Sequence, residues 1–444
     1  MSDFDGLGDS QRIPSRFDAF SRRGFLRAGV LGMGGLTLPE VLRARAAGNV
    51  ADRNPPTSVI FVELAGGPTQ FETYDPKPNA PVDYRGPMSA IATKLPGFHF
   101  GEAMAEQAKI ADRLTIIRSI QHKSSNHDPS SHLAQTGYYK TGAKGGANEM
   151  PCIGAVAARF RGPNHPAMPA YAAIPHVMRN GGAAQLGRAC APFETAADPN
   201  GAKFEVRNLS LLKSLTVDRL TSRRTLLAKF DTQRQLVDLQ GSAPAIDQFS
   251  QQAFDMLTAS QAQKAFDIAR EKPKLRDRYG RTTVGQSLLL ARRLVEAGVT
   301  CVTVSAPGWD NHANLPQAMA GIGAEYDRGI AALVSDLYDR GLQKHVLVVA
   351  MGEFGRTPRF NKTAGRDHWG SVMSVLLAGG GLKPGVFGES NGKGEVPVSL
   401  PYRPENVLAM AYRHLGIDPA QTFADLSGRP RFILEERAII DQIV

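Results

Sequence analysis

Cysteine is scarce in this chain of 444 residues. Only Cys152, Cys190 and Cys301 occur, an odd count that excludes a fully paired disulfide framework. One bond, Cys152 with Cys190, stays open in an oxidising compartment, and Cys301 reads as a core residue at the start of a strand. Past the first 46 residues, no run reaches the roughly 18 consecutive apolar residues of a membrane-spanning helix. There is no internal repeat and no low-complexity tract. No Lys/Arg tract interleaves with aromatics, so the net charge of +10 describes a mildly basic protein and points away from nucleic acid as a partner. Hydrophobic content of 42% and charged content of 21% are those of an ordinary globular chain, long enough for a large core.

The N-terminus reads as a targeting segment. Ser21-Arg22-Arg23-Gly24-Phe25-Leu26 is a twin-arginine pattern, a weakly apolar Gly-rich run follows from Ala28 to Leu38, and Ala44-Arg45-Ala46 offers a cleavage site before Ala47. Residues 1–46 are thus expected to be a signal peptide, and 47–444 an exported protein with no membrane span once the leader is removed.

The mature chain alternates short apolar runs with helical patterns. Strands are expected at Ser58–Leu64, Leu114–Ile117, Cys301–Ser305, Val346–Ala350 and Val372–Ala378, with a further short one at Pro397–Ser399. Asp128-Pro129 predicts a helix start with Asp128 as cap, ending near Thr136-Gly137. Helices are also expected at Ser287–Ala297 and Tyr326–Arg340, and a helical insert at about 209–293. Strand–helix–strand alternation implies an α/β fold, a doubly wound and mostly parallel sheet with helices on both faces.

Acids and imidazoles collect just past the strand ends, where open α/β sheets build their sites. Asp310 and His312 follow Cys301–Ser305. Glu353 and Arg356 follow Val346–Ala350, and Asp367 and His368 come shortly after. His122, His127, Asp128 and His132 crowd the segment behind the second strand, and Glu72 and Asp75 lie beyond the first. Carboxylate and imidazole together suit zinc and other divalent metals. Arg356 offers a planar fork for phosphate or sulfate. A solvated loop Asp with a capping His, or a surface Arg356–Glu353 pair, is the plainer alternative.

At these residues the chain resembles a bacterial family of exported, sulfatase-related proteins, a domain of unknown function in the alkaline phosphatase superfamily. The resemblance is carried by Gly66-Gly67-Pro68-Thr69-Gln70, Asp75-Pro76-Lys77-Pro78, Arg278-Tyr279-Gly280-Arg281, Gly308-Trp309-Asp310-Asn311-His312, Gly352-Glu353-Phe354-Gly355-Arg356-Thr357-Pro358 and Gly365-Arg366-Asp367-His368-Trp369. It implies one or two divalent ions, zinc or calcium, and hydrolysis of a phosphate or sulfate ester on a small molecule or glycan. Asp310, His312, Glu353 and His368 would be metal ligands, Asp367 either a further ligand or the carboxylate behind His368, and Arg356 would steady the transferred group. Two departures stand out. The first strand ends in Ala65-Gly66 where the superfamily places an Asp, so Glu72 or Glu63 would have to substitute. His127 occupies the nucleophile slot and Ser131 the arginine slot, which leaves Ser125, Ser130, Thr69 or a metal-bound water. The rival expectation is a non-catalytic exported binding protein on the same fold.

Overall fold

The computed structural model describes residues 56–142, 146–206, 209, 254, 256, 259–425 and 427–444. The expected signal peptide and most of the expected helical insert lie outside these residues. Described parts of the insert are helical, at Ser260–Phe266 and Pro273–Tyr279.

Eight strands form the central sheet: β1 (Ser58–Ala65), β2 (Leu114–Ile120), β3 (Tyr171–Ile174), β4 (Phe193–Glu194), β5 (Cys301–Pro307), β6 (Val346–Met351), β7 (Met373–Gly379) and β8 (Gly385–Phe387). Their order across the sheet is β8-β2-β7-β6-β1-β5-β3-β4. β1 runs parallel to both β5 and β6, β3 is parallel to β5 and to β4, and β8 is parallel to β2. Only β7 is antiparallel to its neighbours β2 and β6. β1 is therefore the central strand, and it is buried from Ser58 to Leu64. That burial explains its continuous apolar run: both faces are covered, so no polar alternation is left to read.

Alternate residues of β1 enter two separate cores. Ile60, Val62 and Leu64 join Leu288 and Leu290 of α4 (Thr283–Glu296) and Ile330 and Leu333 of α5 (Ala324–Asp339). Val59 and Phe61 meet Ile153 and Val156 of α2 (Ile153–Phe160) and Leu408 and Tyr412 of α6 (Pro404–Leu415). Each such fully buried aliphatic or aromatic side chain contributes about 1.5–3 kcal/mol of transfer free energy. The doubly wound, mostly parallel architecture is thus present. α4 starts four residues before the expected Ser287, because Thr282 Oγ1 caps it by accepting from the Gly285 amide at 3.1 Å. The helix after β2 also starts earlier than Asp128-Pro129 implied. It is α1 (His127–Thr136), with Asn126 at the cap position, and it ends at Gly137 in the left-handed conformation. The sequence reading passed over β3, β4, β8 and α6; the three strands have only two to four residues each and carry little periodicity.

The three thiols are free and buried, and Cys152 and Cys190 are not paired. No helix among the described residues is long and apolar enough to cross a membrane.

Candidate metal centre

Parallel strands deliver their following loops to one edge of a sheet. β1 runs into Gly66, β5 toward Trp309-Asp310, β6 into Gly352-Glu353, and β2 into the loop that leads to α1. A two-residue ribbon pairs His368 with Arg356 and closes the group. The backbones pass very near one another. A side chain at Gly66, whose φ is +115°, would stand 2.4 Å from the Asp310 amide nitrogen, and one at Gly365 would stand 2.1 Å from the His312 carbonyl carbon. Glycine is what permits these crossings.

Three imidazoles converge on the Asp310 carboxylate. His127 Nε2 lies 3.2 Å from Oδ2. His312 Nε2 and His368 Nε2 each lie 3.0 Å from Oδ1, and 3.0 Å from each other. One ligand atom from each of His127, Asp310 and His368 falls within a 4.8 Å span. The far nitrogen of every ring is already engaged. His127 Nδ1 is 2.7 Å from Glu353 Oε1, His312 Nδ1 is 2.7 Å from Asp367 Oδ1, and His368 Nδ1 is 3.0 Å from the Ser125 carbonyl.

A carbonyl only accepts, and so does an ionised carboxylate, so each Nδ1 carries the hydrogen. In the neutral rings all three Nε2 lone pairs then face one another and a carboxylate. Lone pairs 3.0 Å apart repel unless a cation sits among them. Several imidazolium charges would crowd the same place, whereas a divalent ion would satisfy the grouped ligand atoms of His127, Asp310 and His368, with the His312 Nε2 beside them. The donor set fits a metal: three neutral imidazoles oriented from behind, plus one carboxylate. Side-chain exposure of 45% for Asp310 and for His312 leaves this point open to solvent.

The other expected site residues have different places. Glu353 and Asp367 stand one layer back, as orienting acceptors rather than ligands. Glu353 also accepts the Gly66 amide with both oxygens, each at 3.0 Å. His127 lies in the ligand group rather than standing alone as a nucleophile. Ser125 contributes its carbonyl, while its hydroxyl oxygen accepts from the Gly370 amide at 3.2 Å. Thr69 donates to Glu72, and Ser130 is fully buried, so neither hydroxyl reaches the cluster. Arg356 is not an open anion clamp. It is 1% exposed. Its guanidinium donates to the carbonyls of Gly66, Gly67, Trp309 and Arg366, and to Asp310 Oδ1 at 2.6 Å. Glu72 is no ligand either, being 1% exposed and paired with the buried Arg366 at 2.9 Å. Asp75, equally buried, meets Lys77 and Ser390. His122 bonds the Glu353 carbonyl at 2.7 Å and His132 the Tyr138 carbonyl at 2.7 Å, so both support backbone. Asp128 pairs with Lys140 at 3.1 Å.

The electrostatics agree with this layering. Partial burial pushes the Asp310 carboxyl up, but the Arg356 hydrogen bond and charge outweigh it and hold its pKa well below the usual carboxylate range. The hydrogen bond to Glu353 raises the pKa of His127, while desolvation lowers that of His368. Glu63, buried on β1, is pushed up to about 8 by desolvation first and by the Glu353 charge second, against Arg179 and a hydrogen bond from Gln135. Folded metal-free protein therefore holds a proton on Glu63 that the unfolded chain releases above about 4.5. Its stabilising effect is complete below that pH and is lost as pH rises toward about 8, at about 1.4 kcal/mol per unit. In urea unfolding across this window, Glu63→Gln should flatten the loss. A variant as steeply pH-dependent as the wild type would exclude Glu63 as its source.

Residues 56–444 match the family described as "Protein of unknown function (DUF1501)". No curated protein matches the chain. Among solved structures, it is similar to Ps i-CgsB at 11% identity and a TM-score of 0.38, over 82% of this chain and 73% of that one. It is also similar to the PsFucS1 sulfatase from Pseudoalteromonas sp., at 12% identity and a TM-score of 0.33, over 85% and 71%. For the TAB5 alkaline phosphatase the values are 9% and 0.37, over 82% and 99%. As the family match runs from Pro56 to the C-terminal Val444, the chain belongs to the DUF1501 family.

Proposed function

We propose that this chain is an exported hydrolase that cleaves phosphate or sulfate esters of small molecules or glycans with a divalent ion held by His127, Asp310, His312 and His368. The observation that carries the proposal is the set of three Nε2 atoms turned on one carboxylate, each ring tied behind to an acceptor. A nitrogen-rich set of this kind favours zinc over calcium, which takes oxygen ligands. When bound, the ion supplies Lewis-acid polarisation of the ester oxygen. The protein's own part is positional. Glu353, Asp367 and the Ser125 carbonyl hold the Nδ1 protons and fix the tautomers. Arg356 keeps Asp310 ionised and in place. The sequence resemblance adds the ester class and the export.

One observation favours the second reading, a non-catalytic metal-binding protein: among the described residues, no serine or threonine hydroxyl bonds the side chain of a cluster ligand. The deciding experiment uses exported protein whose mature N-terminus reads Ala47. Metal analysis should find about one divalent ion per chain, and aryl sulfate or phosphate should be hydrolysed until a chelator is added. Metal-loaded protein inert toward both esters would establish the second reading, and protein without any ion would overturn both.

A further inference from the structure

With Arg356 committed to the fold, the substrate's anionic group needs another cation. The carboxyl end of β3 supplies one. β3 runs parallel to β5 with Ile174 beside Val304, so the loop after it emerges at the edge where Asp310 appears. That loop is fastened on both sides of Arg179. Met178 is 3% exposed. Asn180 is 9% exposed and donates to the Asp128 carbonyl and side chain, at 3.2 Å each. The Arg179 carbonyl itself accepts from Ser131 Oγ at 3.2 Å. Three contacts therefore pin this loop to the first turns of α1, the helix whose first residue is the ligand His127.

Between two buried neighbours the Arg179 side chain alone points outward. Among the described residues it has no carboxylate partner and its guanidinium makes no hydrogen bond. It is near enough to act electrostatically on both Glu63 and His127. An unpaired guanidinium on a loop whose backbone is pinned beside the candidate metal centre is suited to a tetrahedral oxyanion, which it meets with a planar pair of donors. The start of α1 adds to the same potential, since Asn126 caps none of its first-turn amides with its side chain.

Resting on the hydrolase reading above, we infer that Arg179 binds the non-bridging oxygens of the substrate's sulfate or phosphate group beside the metal centre. Arg179 replaces in this role the buried Arg356, and it comes from a loop that no motif in the sequence marks.

The test is calorimetric titration of inorganic phosphate and sulfate into metal-loaded mature protein, with metal content measured on every sample. Wild type should bind one or both anions. Arg179→Ala should bind at least about tenfold more weakly, with metal content and melting temperature unchanged and a shallower dependence on salt. Arg179→Lys should retain part of the affinity, which a purely structural role would not predict, and Arg281→Ala on an exposed helix end should match wild type. Arg179→Ala binding anion like the wild type would overturn the inference while leaving the hydrolase reading intact. So would wild type that hydrolyses esters yet binds neither anion. Protein without metal would fell the reading, and the inference with it.

Discussion

Asp310→Ala should lose its divalent ion. Among the four donors Asp310 alone is charged, and all three imidazoles aim at it. Replacing an orienting partner behind a ligand typically lowers metal affinity by about 10–100-fold, and deleting the central ligand should exceed that, by more than about a hundredfold. Hydrolysis should fall to the level of chelator-treated wild type. A graded series follows from the layering. Glu353→Gln and Asp367→Asn keep each ring in place but weaken the acceptor behind it, so each should cost about 10–100-fold in affinity. Competition with a chromogenic chelator measures the whole series. Stability should also fall in the metal-free state, because Asp310 is the carboxylate paired with the buried Arg356, although the carbonyls that also accept from Arg356 moderate the loss. Wild-type occupancy in Asp310→Ala would refute the centre. A Glu353→Gln protein that loses as much affinity as Asp310→Ala would move Glu353 from the orienting layer into the ligand set.

The second large effect belongs to a residue the sequence had offered as a ligand. Glu72→Ala should destabilise the fold by about 3–5 kcal/mol without changing metal content, since it strands a buried cation. Arg366 is fully buried. It lies between the rings of Phe71 and Phe360, 4.0 and 4.3 Å from their centroids, and donates to Glu72 and to the carbonyls of Tyr84, Thr357 and Pro358. Desolvating a guanidinium is costly, and Glu72 is the carboxylate that offsets it. Removing both charges should be far milder. The double variant Glu72→Leu/Arg366→Met should recover a large part of the loss, as replacing buried ion pairs with apolar groups often does. Urea unfolding of the three proteins gives the comparison. If Glu72→Ala kept full stability and lost its metal, the structural assignment would be wrong.

Several parts of this protein could be read from local pattern. The runs at Val59–Val62 and Val346–Met351 are apolar throughout and Cys301–Val304 is mostly so, which strands covered on both faces tolerate, so the parallel sheet was legible. That Asp310, His312 and His368 gather at one edge was legible as well, because each lies in the segments that follow these strands. What local pattern could not decide was which polar groups are spent elsewhere. Arg356 looks free in sequence, yet its acceptors Gly66, Gly67, Trp309 and Asp310 lie 46 to 290 positions away and close on it only in the fold. Glu72 is likewise removed from the site by Arg366, 294 positions on. His127, the first residue of α1, meets Asp310 and Glu353 only in the fold. Arg179 reaches the site edge through β3, a strand of four residues too short to show a period. By itself the sequence determined the sheet, its edge and most of the side chains gathered there, since these depend on near neighbours. The tertiary structure alone decided which nitrogen faces the centre, which carboxylate is a ligand and which arginine stays free, because hydrogen bonds and buried ion pairs are allotted among residues that meet only when the chain has closed.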